Sequence, residues 1–119
     1  MIQKETNLKP MDKCGVWLVR VFHLYGGFNK KSSTISNFIK ISVKRTQANN
    51  SVLKKTKLKA IITTVRKEIN KIDGSFIKFK SNNVVLLKKR LTPKGKILIG
   101  PASINIKRKR FLNSFIGTI

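Results

Sequence analysis

Alternation between apolar and polar residues is the dominant pattern in this chain, and it predicts short β-strands. The segment 38–45, FIKISVKR, places Ile39, Ile41 and Val43 at every second position, with basic or hydroxyl side chains between them. A period of two is typical of a strand with one face in the core and one face in solvent. We therefore predict a half-buried strand whose outer face is basic.

The segment 16–25, VWLVRVFHLY, is a second β-rich run. Strict alternation places Trp17 and Val19 on the same face of this strand as Val21. Phe22 then belongs to the opposite face. We expect a strand over the whole segment.

The segment 57–87 organises the rest of the chain. Near its centre Asp73 and Gly74 lie between apolar-rich runs, and an Asp-Gly pair in this setting is a strong signal for a β-hairpin. We expect two long strands that meet at a tight turn. Lysine and arginine recur along both arms, so the hairpin should project cations from a β scaffold.

About five short strands separated by turn signals, followed by helically spaced apolar residues near the C-terminus, predict an all-β fold. The expected architecture is a small five-stranded barrel over about residues 1–99 with a projecting β-hairpin. A short helical tail is expected over about residues 100–119, and Pro101 suits the first turn of its helix. The chain of 119 residues has the size of a single domain.

The charge of the chain is strongly one-sided. It holds 27 Lys and Arg against 4 Asp and Glu, a formal net charge of +23. Self-repulsion at that charge disfavours a compact isolated domain, so we expect a polyanion in its normal environment. Cations spread over the whole chain are typical of phosphate contact, which favours nucleic acid over an anionic membrane. No apolar run approaches the roughly 20 residues that a membrane-spanning helix requires.

Catalytic and metal chemistry have little support in the sequence. Cys14 is the only cysteine and His23 the only histidine, which excludes an internal disulfide and a Cys/His metal cluster. A nucleophilic Cys14 would need a base partner, and the sole histidine lies in a predicted strand. We predict a protein that is not an enzyme, with no cofactor, metal or small-molecule substrate.

The first residues, 1–8, alternate apolar and polar positions and are expected to form a short strand that ends at Pro10. They lack an apolar signal region and an Arg-rich presequence. We therefore expect a chain that is either already processed or made in the compartment where it works.

Several short motifs follow one another along the chain: the opening MIQ-x2-T-x-L, a D-x2-G turn ending at Gly15, the Gly-Gly pair at 26 and 27, the DGS sequence at 73–75, an N-x2-V-L sequence at 82–86 and the Gly-Pro pair at 100 and 101. In this order they resemble the bacterial-type ribosomal protein L-fourteen family of the large subunit. The resemblance spans nearly the whole chain. It implies a structural protein that binds large-subunit rRNA directly, lies at the face that meets the small subunit, and touches neighbouring large-subunit proteins.

The chain also departs from the family pattern. The loop at 46–58 lacks the family's Pro, Gly and Asp, and Lys80 and Asn105 replace acidic residues. We expect the electrostatic role of the loop to survive this change.

Charge and position select the cations expected to contact rRNA phosphates. These predicted rRNA-binding residues are Lys54, Lys55, Lys57, Arg66, Lys67, Lys71, Lys78, Lys88, Lys89 and Arg90. The residues expected on the intersubunit side, toward small-subunit rRNA, are Lys107, Arg108, Lys109 and Arg110. The residues expected to shape turns are Gly15, Gly26, Gly27, Asp73, Gly74, Gly100 and Pro101.

Two other functions stay open. A single-stranded RNA- or DNA-binding barrel that acts off the ribosome should show two or three outward aromatic residues on one sheet face. Here Phe76 and Phe79 are expected on opposite faces of one strand, and Trp17 has no predicted outward aromatic partner. A membrane-active cationic protein would need a long amphipathic helix, whereas the pattern is β.

The composition also bears on the origin of the chain. Lys greatly outnumbers Arg, and Ile and Asn are frequent, as in proteins from AT-rich genomes. Together with the high charge and the missing presequence, this favours a protein encoded in an organellar genome. We hypothesise a mitochondrial ribosome, with a plastid or a reduced bacterium as alternatives.

Overall fold

The computed structural model describes residues 1–95, 97–103, 106, 115–117 and 119, and these form a closed β-barrel with a small hairpin attached. Five strands form the barrel in the order β1, β2, β3, β4, β7, and all neighbours are antiparallel except the closing pair of β1 and β7. The strands are β1 (Asn7–Pro10), β2 (Val16–Leu24), β3 (Phe38–Thr46), β4 (Lys57–Thr64), β5 (Ile69–Asn70), β6 (Phe76–Ile77) and β7 (Asn83–Leu86). The predicted all-β fold with a five-stranded barrel and an added hairpin is confirmed.

The barrel interior is filled by residues that the alternation selects. In β3, Ile39, Ile41 and Val43 are fully buried, and Lys40 between them is only half-buried. Each such apolar side chain contributes roughly 1.5–3 kcal/mol when it leaves water. The predicted half-buried strand with a basic outer face is confirmed.

Strand β2 departs from strict alternation because its register against β3 shifts near its start and again before His23. An extra residue in one strand turns the following side chains to the opposite face of the sheet. Val19 and Val21 are therefore fully buried, whereas Trp17 is 62% exposed. The prediction that Trp17 shares the face of these valines is wrong.

The first strand lies later than the sequence pattern predicts. β1 covers Asn7–Pro10, whereas Ile2 forms only an isolated bridge with Ser33. Glu5 has a φ of +67°, which interrupts the extended backbone between them. Pro10 is itself the last residue of the strand.

The segment 57–87 does not form two long strands. β4 and β7 are part of the barrel wall, and the hairpin between them contains only the two-residue strands β5 and β6. Hydrogen bonds at its base replace ladder pairing, for example from the Thr64 hydroxyl to the Ser81 carbonyl at 2.9 Å. The barrel uses β4 up to Thr64, and beyond it the chain leaves the wall.

The turn of this hairpin has the geometry that an Asp-Gly pair supports. Gly74 has a φ of +88°, and its N–H donates to the Lys71 carbonyl at 3.1 Å. The Asp73 carboxylate accepts hydrogen bonds from the N–H and the hydroxyl of Ser75, at 3.0 and 2.6 Å. Glycine adopts this left-handed backbone without strain, which accounts for its place in the loop.

The helix expected to start at Pro101 does not begin there. The Ala102 N–H donates to the Gly117 carbonyl at 2.9 Å, and the Ala102 carbonyl accepts from the Ile119 N–H at 2.8 Å. These bonds to a distant segment have the form of strand pairing, not of a helical turn. The rest of the predicted helical tail lies mostly outside the described residues. The described residues contain no helix, and so no helix there that is long and apolar enough to cross a membrane.

Candidate nucleic-acid interface

The described surface is cationic, and few acidic side chains neutralise its lysines and arginines. Asp12 is buried, and the only ion pair recorded among the described residues joins Glu5 to Arg20 at 3.9 Å. An exposed pair of this kind contributes little to stability. The field of the other lysines and arginines is therefore directed at solvent and at any polyanion that approaches.

The barrel topology divides the ten predicted rRNA-binding cations between two ends. β4 runs antiparallel to β7, so the start of β4 and the end of β7 lie at the same end of the barrel. We call this the loop end, and it holds Lys54, Lys55, Lys57, Lys88, Lys89 and Arg90. The opposite end, the hairpin end, holds Arg66, Lys67, Lys71 and Lys78. All ten side chains are exposed except that of Lys71, which is half-buried.

Backbone hydrogen bonds shape the two cation-bearing loops of the loop end. The Lys55 N–H donates to the Val43 carbonyl at 2.8 Å, and Lys55 has a φ of +64°, so the β3–β4 loop turns sharply at its cations. After β7, the backbone N–H of Lys88 donates to the Thr92 carbonyl at 2.8 Å, and the Lys88 carbonyl accepts from the Leu91 N–H at 2.9 Å. The run of cations that begins with Lys88 therefore lies at a tight turn.

At the hairpin end, Arg66 has a structural contact as well as a charge. Its Nε donates to the Lys80 carbonyl at 2.9 Å, and its backbone N–H donates to Asn82 Oδ1 at 2.8 Å. Arg66 thus ties together the two arms of the hairpin base. Its guanidinium stays exposed beside this contact.

A cleft of about 590 Å³ at the loop end collects cations that sequence reasoning missed. The Asn50 side-chain amide donates to the Cys14 carbonyl at 2.9 Å, and the Gln47 N–H donates to the Gly15 carbonyl at 2.8 Å, which fastens one wall. The basic residues that line the cleft are Lys13, Lys88 and Lys94. Of these only Lys88 was predicted, because the three loops that form the cleft are far apart in the sequence.

A buried carboxylate lies beside the cleft. Asp12 is 5% exposed, its Oδ2 accepts from the Gly95 N–H at 3.1 Å, and its Oδ1 accepts from the Cys14 thiol at 3.5 Å. Burial raises the pKa of Asp12, and these hydrogen bonds oppose the rise in part. Burial first, and then the charge of Asp12, raise the pKa of Cys14 to about 11. A thiol in this state is a poor nucleophile at neutral pH.

The predicted turn residue Gly15 has two reasons to be glycine. Its φ is +80°, and a Cβ at this position would lie 2.6 Å from the Asn50 side-chain nitrogen. Both conditions let the β1–β2 turn approach the β3–β4 loop. The other predicted turn glycines with positive φ are Gly26, Gly27, Gly74 and Gly100, and Pro101 follows the last of them.

The outer face of β2, β3 and β4 carries a second group that the sequence pattern did not indicate. His23 pairs with Lys40 across β2 and β3, and Lys40 pairs with Lys59 across β3 and β4, so the three lie in one row. The Tyr25 ring lies 4.8 Å from the His23 ring. We call the following set the aromatic–basic face: Phe22, His23, Tyr25, Lys40, Lys57 and Lys59. The sequence pattern directed attention to Phe76, Phe79 and Trp17 as outward aromatic residues, so this group of rings was missed.

The predicted intersubunit residues Lys107, Arg108, Lys109 and Arg110 lie outside the described residues. Within the described ranges, no three His, Cys, Asp or Glu side chains lie close enough to hold a metal ion together.

The closed five-stranded barrel and its cationic surface define a class of small, strongly basic β-barrel proteins. The chain belongs to the family described as ribosomal protein L14p/L23e, whose family model matches residues 1–116. It is similar to the large ribosomal subunit protein uL14m of Tetrahymena pyriformis, with 75% identity over 119 residues that cover 100% of each chain. The resemblance that the motifs indicated is therefore confirmed. The family is one of structural proteins of the large ribosomal subunit, not of enzymes.

Proposed function

We propose that this protein binds large-subunit rRNA directly and does so mainly through the loop end. The observation that carries the proposal is the convergence of exposed cations from two loops beside a cleft lined by three lysines. Family membership supplies the setting, since members are components of the large subunit.

The chemistry of the loop end suits backbone phosphates rather than base edges. Lysines at tight turns present ammonium groups as point charges, and such contacts position a protein on RNA without reading its sequence. Each phosphate neutralised releases condensed counterions, so affinity should fall steeply with salt.

The hairpin end is proposed to contact rRNA through its four cations and a neighbouring large-subunit protein through its tip. Ile72 at the tip is fully exposed, and Phe76 is 64% exposed. Apolar side chains this open to solvent in a structural protein of a large assembly favour burial against a protein neighbour. The hairpin then contributes both RNA and protein contacts.

The intersubunit role is proposed from the family resemblance alone. The cationic run of Lys107, Arg108, Lys109 and Arg110 is assigned to the side that faces small-subunit rRNA. Four consecutive cations repel one another in isolation and would be stabilised by phosphates.

A mitochondrial location is proposed, with the gene in the organellar genome. The Tetrahymena pyriformis relative carries the suffix of mitochondrial ribosomal proteins in its name, uL14m. The lysine- and isoleucine-rich composition supports the second part. Synthesis of the chain in intact mitochondria that continues under cycloheximide and stops under chloramphenicol would support both parts, and the reverse pattern would refute the organellar gene.

The rRNA contact is tested by binding of the full chain to transcribed large-subunit rRNA over a range of salt concentrations. The variant Lys54→Gln/Lys55→Gln/Lys57→Gln should bind more weakly and have a shallower salt dependence by roughly one unit of slope per lost phosphate contact. The matched control, Lys4→Gln/Lys9→Gln/Lys31→Gln, removes three exposed cations outside the predicted set. Equal effects of the two variants would refute binding through the loop end.

Sedimentation of a native organelle extract separates this function from the off-ribosome alternative. The chain should travel with the large subunit and leave it only at high salt. A chain that stays at the top of the gradient at every salt concentration would make the off-ribosome RNA-binding protein the better account.

A further inference from the structure

The aromatic–basic face has a composition that phosphate contact alone does not explain. Three rings lie among three lysines on one outer surface of the barrel. Lysines suffice to hold phosphates, and the rings beside them, of which His23 is exposed and Phe22 and Tyr25 are half-buried, add π-faces on which a base can stack.

A β-bulge creates this face. Between Val21 and His23 the register against β3 shifts by one residue, so Phe22 and His23 together oppose Lys40. Neither of the two consecutive side chains is buried, although strict alternation would send one of them into the barrel. Bulges commonly re-aim side chains at functional surfaces.

The rings are arranged with the cations rather than apart from them. The Lys59 ammonium lies over the Tyr25 ring at 5.1 Å, and the Lys57 ammonium lies over the Phe22 ring at 6.0 Å. The rings of His23 and Tyr25 meet at 84° with their centres 4.8 Å apart. In this edge-to-face pair the edge of one ring lies against one face of the other, so the pair itself leaves further ring faces on which a planar group can stack.

We infer that this face binds an unpaired nucleotide of RNA, with the base stacked on the ring pair of His23 and Tyr25 and the adjoining phosphates on Lys40, Lys57 and Lys59. The inference rests on the proposed function, because RNA is the ligand of that function. It adds that the RNA is unpaired where it meets this face. Bases are available to aromatic side chains only where the strand is unpaired. An acidic peptide would use the lysines and leave the rings without a partner, so it is the weaker match.

The test uses the full chain and two labelled probes: an unstructured 12-nucleotide pyrimidine RNA and a 12-base-pair RNA duplex. Tyr25→Leu should weaken binding of the single strand roughly tenfold, since loss of one stacking ring has an effect of that order. Binding of the duplex and the salt dependence for both probes should not change. The control Trp17→Leu removes an exposed ring of β2 that lies outside the face, and it should bind both probes as the wild type does.

A second variant guards against a folding defect, because Tyr25 is half-buried. His23 is exposed, and His23→Ala should lower single-strand affinity severalfold with the same thermal unfolding curve as the wild type. Ultraviolet cross-linking of native large subunits should also yield a peptide of residues 21–30 that carries a nucleotide.

Two results would overturn the inference: Tyr25→Leu binds the single strand as well as the wild type and Trp17→Leu do, or it loses duplex binding to the same extent as single-strand binding. Loss of binding to a labelled polyglutamate peptide without loss of RNA binding would also overturn it, since the face would then serve an acidic protein. If the wild type binds neither RNA probe, the proposed function fails as well. If it binds both and Tyr25→Leu has no effect, only this inference fails.

Discussion

The buried carboxylate of Asp12 accepts a hydrogen bond from the backbone N–H of Gly95, 83 residues later in the chain, at 3.1 Å. This contact joins the β1–β2 turn to the turn that follows β7. Both turns border the cleft at the loop end. The shape of the cationic cleft therefore depends on a close approach between two loops that only the fold brings together.

Gly95→Ala should destabilise the protein. A Cβ at this position would lie 2.6 Å from the Cβ of Asp12, a contact too short to persist without movement of one of the loops. Forced overpacking of this kind lowers the free energy of unfolding by about 1–3 kcal/mol. Urea unfolding followed by circular dichroism measures the difference.

The matched control is Gly117→Ala. Nothing lies within 4 Å of a Cβ there, so its free energy of unfolding should stay within about 0.5 kcal/mol of the wild type. An unchanged Gly95→Ala protein would show that the two loops are not held in this close contact.

Asp12 should make stability depend on pH in an unusual direction. Burial raises its pKa in the folded state above the ordinary value of 3.8, so the folded protein binds this proton more tightly than the unfolded chain does. Stability then rises as pH falls through the raised pKa and levels off below about 3.8. Compared with Asp12→Asn at each pH, the wild type should gain free energy of unfolding over that interval.

Asp73 provides the opposite sign as a control. Hydrogen bonds from Ser75 lower its pKa, so its contribution is complete above about 3.8 and is lost as pH falls through the lowered value. The difference between the wild type and Asp73→Asn should therefore be constant above pH 3.8 and shrink below it. A constant difference between the wild type and Asp12→Asn across the whole range would refute the assignment for Asp12.

Cys14 should react slowly with alkylating reagents. With a pKa of about 11, against an ordinary value of 9.0, Cys14 should have roughly one hundredth as much thiolate at pH 8 as an ordinary thiol. Iodoacetamide labelling of the folded protein should be slower than that of the urea-unfolded chain by a similar factor. Asp12→Asn removes the second cause of the shift and should move the pH–rate curve to lower pH. Equal rates for folded and unfolded protein would contradict this picture.

Lys55 should show a conflict between stability and RNA binding. It has a φ of +64°, which is strained for a residue with a side chain, so Lys55→Gly should raise the free energy of unfolding by up to about 1 kcal/mol. The same change removes one cation of the loop end. The slope of log affinity for rRNA against log salt concentration should therefore become shallower by roughly one unit.

Lys54→Gly is the control for Lys55→Gly, because it removes one cation from the same loop. Lys54 is not among the residues with positive φ, so glycine there relieves no strain and should lower stability by about 0.4–1 kcal/mol through the entropy of the unfolded chain. The two variants should thus lose a similar amount of RNA affinity and move in opposite directions in stability. A shift in the same direction would mean that the backbone at Lys55 is not strained.

Local patterns predicted those parts of the fold that depend on neighbouring residues. The alternation of Ile39, Ile41 and Val43 predicted β3 correctly, and the pair Asp73 and Gly74 predicted a turn that its side-chain hydrogen bonds complete. The prediction for β2 was wrong at Trp17, because the bulges in this strand arise from its pairing with β3. One extra residue turns the side chains that follow to the opposite face.

The candidate site divides in the same way. The charge of each predicted rRNA-binding lysine and arginine is a property of composition, whereas their separation into a loop end and a hairpin end follows from the antiparallel pairing of β4 with β7. Lys13 and Lys94 carried no signal in the sequence, since their loops meet only at the cleft.

The sequence by itself determined that this is a basic, all-β protein with the motifs of a large-subunit ribosomal protein family, because periodicity, charge and short motifs are encoded residue by residue. The tertiary structure decided which cations share an end of the barrel, where the buried Asp12 supports the cleft, and that a bulge turns Phe22 and His23 outward together. These features arise from barrel closure and strand register, which depend on contacts between segments distant in the chain.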